Sequence, residues 1–230
     1  KIIKYDGTTW SIITKTTMGG NVADTAMKSM AVYNGFLYIG TINATVATDA
    51  TGAKVFQYNG TTWSSFTKAT MGGATTDTQM AYMAVYNAKL YIGTANVTAS
   101  VDATGAKLLV YNGNGWATII KSAMGASTTD QYFEAMCIYN GKLYIGSYNT
   151  SAVLNSNLFV YDQTGWSPIL KTTLAEQAQD TDIFSMGIYQ GKLYLGTYST
   201  SHTTDVLGSK IIYLQYPLAE TLNSYCQKGY

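Results

Sequence analysis

Short apolar stretches recur along the chain, and each ends on a small polar turn. MAVYNG at 30–35 reads as one strand running into Asn-Gly, the strongest short-range hairpin signal. Its continuation, FLYIGT at 36–41, alternates side chains as a second strand does. After a long polar loop, AKVFQY at 53–58 reads as a third strand. An Asn-Gly turn and TTWSSF at 61–66 then supply the fourth. The pattern predicts four short antiparallel strands joined alternately by tight turns and long loops.

That pattern is copied. YDGTTW at 5–10 returns as YNGTTW at 58–63, YNGNGW at 111–116 and YDQTGW at 161–166. VYNGFLYIGT at 32–41 returns as VYNAKLYIGT at 85–94, IYNGKLYIGS at 138–147 and IYQGKLYLGT at 188–197. Residues 1–53 and 54–106 are identical at 33 of 53 positions by direct count. A tandem four-stranded unit of about 50 residues is how a β-propeller blade reads in sequence. With its apolar strand, Asn-Gly-Lys-Leu-Tyr-Ile-Gly, Tyr-Asp/Asn-Gly turn and Trp, the repeat resembles the kelch and galactose-oxidase-like propeller repeats. The kelch Gly-Gly doublet is Gly-Thr or Gly-Ser here, so the resemblance implies architecture alone.

The expected fold is therefore all-β: a four-bladed β-propeller of four-stranded antiparallel blades over residues 1–215, with five blades the alternative. A tail at 216–230 is expected to pack on it, with Leu218, Leu222 and Tyr225 on one helical face. The chain begins on a third strand, KIIKY, and ends on another copy of it, KIIYL. A ring of four closes if the Trp strand at 8–13 completes the last blade, a device that protects sheet edges. One copy of the third strand is then surplus: it lies against the outside, belongs to a fifth blade, or pairs with a neighbouring molecule. The columns of Trp10, Trp63, Trp116 and Trp166, of Tyr38, Tyr91, Tyr144 and Tyr194, and of all nine Met are expected in the core. Trp63→Ala is accordingly expected to cost about 3–5 kcal/mol.

Composition narrows the function. All 14 basic residues are Lys and the net charge is +1, so neither the guanidinium fork nor the charge for nucleic acid is present. No apolar run reaches the ~18 residues of a membrane span. A first residue of Lys rather than Met fits either a processed export product or a trimmed chain. Low charge with abundant Ser, Thr, Asn and Tyr points to an extracellular or cell-surface setting. Cys137 and Cys226 form one disulfide or remain free, and Cys137 occupies a small-residue column that favours burial.

Candidate chemistry lies in the long loops, the usual place for function on a rigid scaffold. One repeat column holds Asp24, Asp77, Asp130 and Asp180, and a second holds Asp49, Asp102 and Asp205. Such carboxylates suit Ca²⁺ or sugar hydroxyls, or cap backbone amides in Asx-turns. Lys15, Lys68, Lys121 and Lys171 recur ahead of the first column as its ion-pair partners. Asn-x-Ser/Thr at Asn43, Asn96, Asn149 and Asn59 marks glycosylation candidates, three of them just after the second strand. His202 is the single histidine and has no repeat counterpart. No nucleophile–base arrangement, metal motif or phosphate loop can be drawn. The expectation is a non-enzymatic extracellular module with no cofactor beyond Ca²⁺. It is structural or adhesive, glycosylated, and self-assembling into a filament by strand sharing. The alternative is a lectin-like carbohydrate-binding propeller with one site per blade, resembling the tachylectin-type lectins in its near-identical blades.

Overall fold

A computed structural model describes residues 1–43, 52–74, 76–96, 105–127, 129–149, 158–174, 180–199 and 208–215. The chain divides into two compact units that meet in sequence at Ile119–Ile120. The first contains β1 (Ile2–Tyr5), β2 (Trp10–Ile13), β3 (Ala26–Tyr33), β4 (Phe36–Ile42), β5 (Val55–Tyr58) and β6 (Trp63–Phe66). A one-turn helix α1 (Lys68–Met71) leads to β7 (Gln79–Tyr86), β8 (Lys89–Ala95), β9 (Lys107–Tyr111) and β10 (Trp116–Ile120). The second unit opens with α2 (Lys121–Met124) and continues through β11 (Asp130–Tyr139), β12 (Lys142–Asn149), β13 (Leu158–Tyr161) and β14 (Trp166–Ile169). It ends with β15 (Asp180–Tyr189), β16 (Lys192–Ser199) and β17 (Ile211–Gln215).

Each complete blade is an antiparallel meander: β3–β6 and β7–β10 in the first unit, β11–β14 in the second. The chain is all-β, with propeller-type blades as the repeat predicts. The first hairpin of every blade turns through two residues of positive φ, Asn34 (48°) and Gly35 (77°) in the first. Two left-handed residues match the twist of the flanking strands. Asn87–Ala88 and Gln190–Gly191 make the same turn, with Ala88 at φ 51°.

The second hairpin explains the Tyr-Asx-Gly-x-x-Trp motif. Asn59 Oδ1 accepts from the backbone N–H of Thr61 and Thr62, at 2.9 and 2.7 Å. The Tyr58 hydroxyl donates to the Gly60 carbonyl, and its ring stacks on Trp63 at 4.5 Å. Tyr5–Trp10, Tyr111–Trp116 and Tyr161–Trp166 repeat that stack. The Trp column therefore clamps a turn at the edge of the core, where Trp63 and Trp116 pack against core clusters without being fully buried. Trp63, Trp116 and Trp166 are half-buried and Trp10 is 71% exposed. The truncation cost falls well below that of a fully buried ring, towards the ~0.5–1.5 kcal/mol of the aromatic pair plus partial burial.

The Tyr column does lie inside: Tyr38, Tyr91 and Tyr144 are buried. In the first unit Tyr33, Tyr38, Val55, Met71, Met80, Leu90, Ile92 and Leu109 form one core. In the second, Leu158, Ile169, Leu174, Ile183, Leu193, Leu195, Ile212 and Leu214 form another. Met18, Met71, Met80 and Met124 are buried, but Met30 is 58% exposed, so the Met columns are not core throughout. Blades approach each other within a unit through glycine. A Cβ on Gly40 would stand 2.1 Å from the Met80 carbonyl oxygen, and one on Gly146 2.7 Å from that of Ile183. The Tyr33 hydroxyl donates to Ala88 O, and the Tyr139 hydroxyl to Gly191 O, tying one blade to the turn of the next.

Neither copy of the third strand is left over. β1 pairs with β2 along its length, from Ile2↔Ile13 to Tyr5↔Trp10. β17 pairs with β16, from Gly196↔Ile211 to Lys192↔Gln215. Each copy is paired along one edge: β1 with β2 in a two-stranded sheet of their own, and β17 as the end strand of the larger sheet. The expected tail at 216–230 lies outside the described residues.

Candidate functional site

The first Asp column is interior, not a loop face. Asp24, Asp77, Asp130 and Asp180 are all buried. Asp24 Oδ2 accepts from Asn21 N–H, Asp77 Oδ2 from Ala74 N–H, and Asp130 Oδ2 from Ser127 N–H. Each is an Asx-type cap, as the structural reading anticipates. Their other oxygens take up the sequon asparagines. Asn43 Nδ2 donates to Asp24 Oδ1 at 3.1 Å, Asn96 Nδ2 to Asp77 Oδ1 at 3.2 Å, and Asn149 Nδ2 to Asp130 Oδ1 at 3.0 Å. Those three amides are wholly buried. This corrects the glycan assignment at Asn43, Asn96 and Asn149: the nitrogen a glycan would occupy is a core hydrogen-bond donor. Asn59 is exposed, in its turn.

The cation for each carboxylate comes from an unexpected residue. Lys15 Nζ and Lys121 Nζ donate to the main-chain carbonyls of Asp24 and Asp130, at 3.0 and 3.2 Å, and Lys171 Nζ to that of Asp180. The charge partners are instead the lysines opening the third strand. Lys54 Nζ is 3.8 Å from Asp24 Oδ2, and Lys210 Nζ is 2.8 Å from Asp180 Oδ2. In the third repeat that column reads Asn157. There, burial pushes Asp130 up to about 6, opposed only in part by Asn149, Ser127 N–H, Ser147 and Lys121. Burial also raises Asp77, against the charge of Lys107.

Among the described residues no group of three or more His, Cys, Asp or Glu side chains gathers for a metal ion. Asp49, Asp102, Asp205, His202 and Cys226 lie outside them. Cys137 is a half-buried thiol whose pKa burial raises.

Where the repeats disagree, a different cluster appears. At the start of the first strand the columns read Ala26/Gln79/Tyr132/Asp182 and Lys28/Ala81/Glu134/Phe184. At the end of the second they read Ile42/Ala95/Tyr148/Tyr198. In the second unit these residues meet. Tyr132 pairs with Tyr148 across β11–β12, Tyr148 with Asp182 across β12–β15, and Asp182 with Tyr198 across β15–β16. Directly opposed residues share a sheet face, so Tyr132, Tyr148, Asp182 and Tyr198 make one line across four strands. The rings of Tyr132 and Tyr148 are 5.0 Å apart. Glu134 lies beside the line, at the register shift between Phe133 and Ala135. Such bulges re-aim side chains.

Asp182 and Glu134 are 3% and 8% exposed, whereas Tyr198 is 46% exposed and Tyr132 and Tyr148 are half-buried. Both tyrosine hydroxyls are pushed up, first by burial and then by their neighbours. Tyr132 feels Tyr148, Glu134 and Asp182; Tyr148 feels Asp182, Glu134 and Tyr198. Among the described residues, the Glu134 carboxylate makes no hydrogen bond or ion pair. In the first unit the same columns carry the opposite charge, with Lys28 Nζ 5.5 Å from the Tyr82 ring centre. The legible signal for this site was divergence: a copied unit that differs in a few inward columns has specialised them.

No family model matches the sequence, and no curated protein matches it. Solved structures do. A bacterial surface component of the type-IX secretion system of Porphyromonas gingivalis, PorZ, superposes with TM-score 0.57 at 16% identity, over 96% of this chain and 29% of that one. An alpha-L-arabinofuranosidase from Clostridium thermocellum matches with TM-score 0.50 at 13% identity, over 94% and 76%. An exo-beta-1,3-galactanase from Phanerochaete chrysosporium matches with TM-score 0.51 at 11% identity, over 87% and 49%. These likenesses support the β-propeller architecture and none is specific to kelch repeats. They also overturn the expectation of a non-enzymatic structural or adhesive filament module. The fold is shared with carbohydrate-cleaving enzymes, so it gives no ground for excluding catalysis. No helix among the described residues is long and apolar enough to cross a membrane.

Proposed function

We propose that this chain is an extracellular or surface-exposed carbohydrate-binding β-propeller whose site is the tyrosine–carboxylate line of the second unit. The observation that carries this is the row Tyr132–Tyr148–Asp182–Tyr198 with Glu134 beside it, half-open rings over buried carboxylates. Sugars present an apolar C–H face and a rim of hydroxyl donors. Aromatic faces receive the first, and a few fixed polar groups orient the second. Because the columns differ from blade to blade, the reading is one site here instead of one per blade. The carbohydrate-active proteins among its structural likenesses agree with that chemistry.

The test is a glycan-array screen followed by titration of any ligand into Tyr148→Ala. A bound glycan whose affinity falls about tenfold in the variant, the value of one stacked ring (~1.4 kcal/mol), supports the site. Binding unchanged by Tyr148→Ala, or no glycan bound at all, removes it. A second reading, glycoside hydrolysis, is favoured by two carboxylates, Glu134 and Asp182, near the same pair of tyrosines, since that reaction uses a carboxylic acid and a carboxylate together. Release of reducing ends that disappears in Asp182→Asn distinguishes it from binding alone.

A further inference from the structure

We infer that Thr181 and Asp182 are the specificity-determining pair of this site, receiving two neighbouring hydroxyls of a neutral sugar ring and excluding uronic acids. This rests on the carbohydrate reading above and adds which atoms read the sugar. Both residues lie at the start of β15 and are buried, Thr181 7% and Asp182 3% exposed. Thr181 Oγ1 and one of the two oxygens of Asp182, Oδ1, nevertheless meet no hydrogen-bond partner among the described residues. Side-chain oxygens that deep are nearly always bonded, to protein, water or ligand. An unmet one costs stability that a bound donor recovers.

The register sets the pair apart from the other repeats. Asp180 opposes Ser199 and Asp182 opposes Tyr198, so Thr181 is the extra residue of a bulge. Two residues then stand against one, and such bulges re-aim side chains beside binding sites. The first unit shows the ordinary arrangement. Thr25 Oγ1 donates to Ile42 O and Thr78 Oγ1 to Ala95 O, both at 3.3 Å. Ile42 and Ala95 are the repeat equivalents of Tyr198, yet Thr181 makes no such bond. Gln79, in the column of Asp182, also has an unmet oxygen, but Thr78 beside it is tied down and Ala95 offers no ring. In the second unit the two unmet oxygens adjoin the exposed Tyr198, and Tyr148 opposes Asp182 from the other side.

A sugar ring laid on a tyrosine presents neighbouring hydroxyls at its edge. Asp182 Oδ1 accepts from one of them, and the Thr181 hydroxyl, donor and acceptor alike, takes the next. A uronic acid would bring a like charge towards buried Asp182, a juxtaposition costly enough to exclude it.

The experiment titrates the full chain, followed by NMR, with methyl glucoside, methyl galactoside and any hexose glycan the array returns. Each is paired with its form oxidised at C6 to the uronic acid. The neutral member should bind about tenfold tighter or more. Thr181→Val keeps the shape and removes the hydroxyl. It should weaken neutral sugars about fivefold while leaving the denaturation midpoint unchanged or raised, since no internal bond is lost. Asp182→Asn should weaken them about tenfold and narrow the margin against uronic acids. A lower midpoint in Thr181→Val overturns the inference, because the hydroxyl then has a structural partner. Uronic acids bound as tightly as neutral sugars overturn it too, a comparison that needs no variant. Ca²⁺ that raises the melting temperature of the unaltered protein but not of Asp182→Asn would make the pair a cation site, and likewise overturns it. If neutral sugars bind through Tyr148 equally well in both variants, the inference fails and the carbohydrate reading stands. If no glycan of any kind binds, both fail.

Discussion

Asp130 shows how one substituted residue changes a copied environment. Its carboxyl is raised from 3.8 to about 6, chiefly by burial, where the lysine of the other repeats is replaced by Asn157. The folded protein therefore holds this proton more tightly than the unfolded chain does. Stability falls as pH rises from about 4 to about 6 and is flat in this term above that. Two pKa units bound the effect at about 3 kcal/mol. Chemical-denaturation midpoints at several pH values should show the decline, and Asp130→Asn should remove most of it. Asp77, also raised by burial, keeps a remainder of the same sign. Asn157→Lys, which restores the column of Lys54, Lys107 and Lys210, should flatten the profile while leaving Asp130 in place. A profile unaltered by both changes would mean that Asp130 titrates normally. From sequence, the Asp column was visible but its role was not. Burial of Asp24 or Asp77 depends on the return of Asn43 or Asn96 from 19 residues away, a contact that no local pattern announces.

At the scale of the element, turn chemistry was the most legible part of the molecule. Asn-Gly and Asp-Gly mark most of the hairpins, because left-handed backbone has few sequence solutions; Asn87-Ala88, Asp162-Gln163 and Gln190-Gly191 make the remaining turns. Ala88 is the exception with a Cβ where the other first hairpins have glycine. It holds φ 51° with a Cβ, at a cost of roughly 1–2 kcal/mol, of which glycine's greater unfolded entropy would take back part. Ala88→Gly should therefore stabilise the protein by about 0.5–1 kcal/mol, seen as a higher denaturation midpoint; a fall would mean the turn is relaxed as it stands. The glycine of the Tyr-Ile-Gly strand is used differently. Gly146 has no room for a methyl group against Ile183, so Gly146→Ala should cost at least the ~1–3 kcal/mol of an overpacked core. An unchanged midpoint would show that β12 and β15 can part. The Trp column was misjudged at this same scale. Repetition marked Trp63 as structural, but whether a ring lies in a core or clamps a turn depends on which blade face its strand presents.

For the whole molecule, the repeat gave away the class of fold, since no other arrangement uses four short strands copied every 50 or so residues. It hid the candidate site for the same reason. Attention goes to what recurs, while Tyr132, Glu134, Tyr148 and Asp182 stand where the copies differ. Copying also has a cost in folding. With 33 of 53 positions shared between the first two repeats, a strand finds nearly equal partners in the wrong blade or in another chain. Exchange of equivalent elements is a characteristic failure of repeat proteins. Refolding from denaturant should accordingly yield a dimeric fraction that grows with protein concentration, measured by size-exclusion chromatography. A yield independent of concentration would argue that the divergent columns suffice to sort the blades.

The hairpin turns also set a clock on the protein. In Asn-Gly, the following amide is unshielded by any Cβ, so its nitrogen can attack the Asn side-chain carbonyl, expel ammonia and leave aspartate or isoaspartate after hydrolysis. Asn34, Asn59, Asn112, Asn114 and Asn140 each precede glycine and are exposed. Asn59 and Asn112 have their side-chain oxygens held by two backbone amides apiece, which restrains the approach. Asn114, and Asn34 and Asn140 at the left-handed turns of β3–β4 and β11–β12, should therefore age first. Each event adds one negative charge, so two events turn a chain of net +1 into one of net −1. Isoelectric focusing of protein stored warm should resolve these steps, with peptide mass spectrometry placing the first of them at residues 34, 114 and 140. The residues that make this fold easiest to read are the ones that limit how long a molecule of it stays chemically uniform.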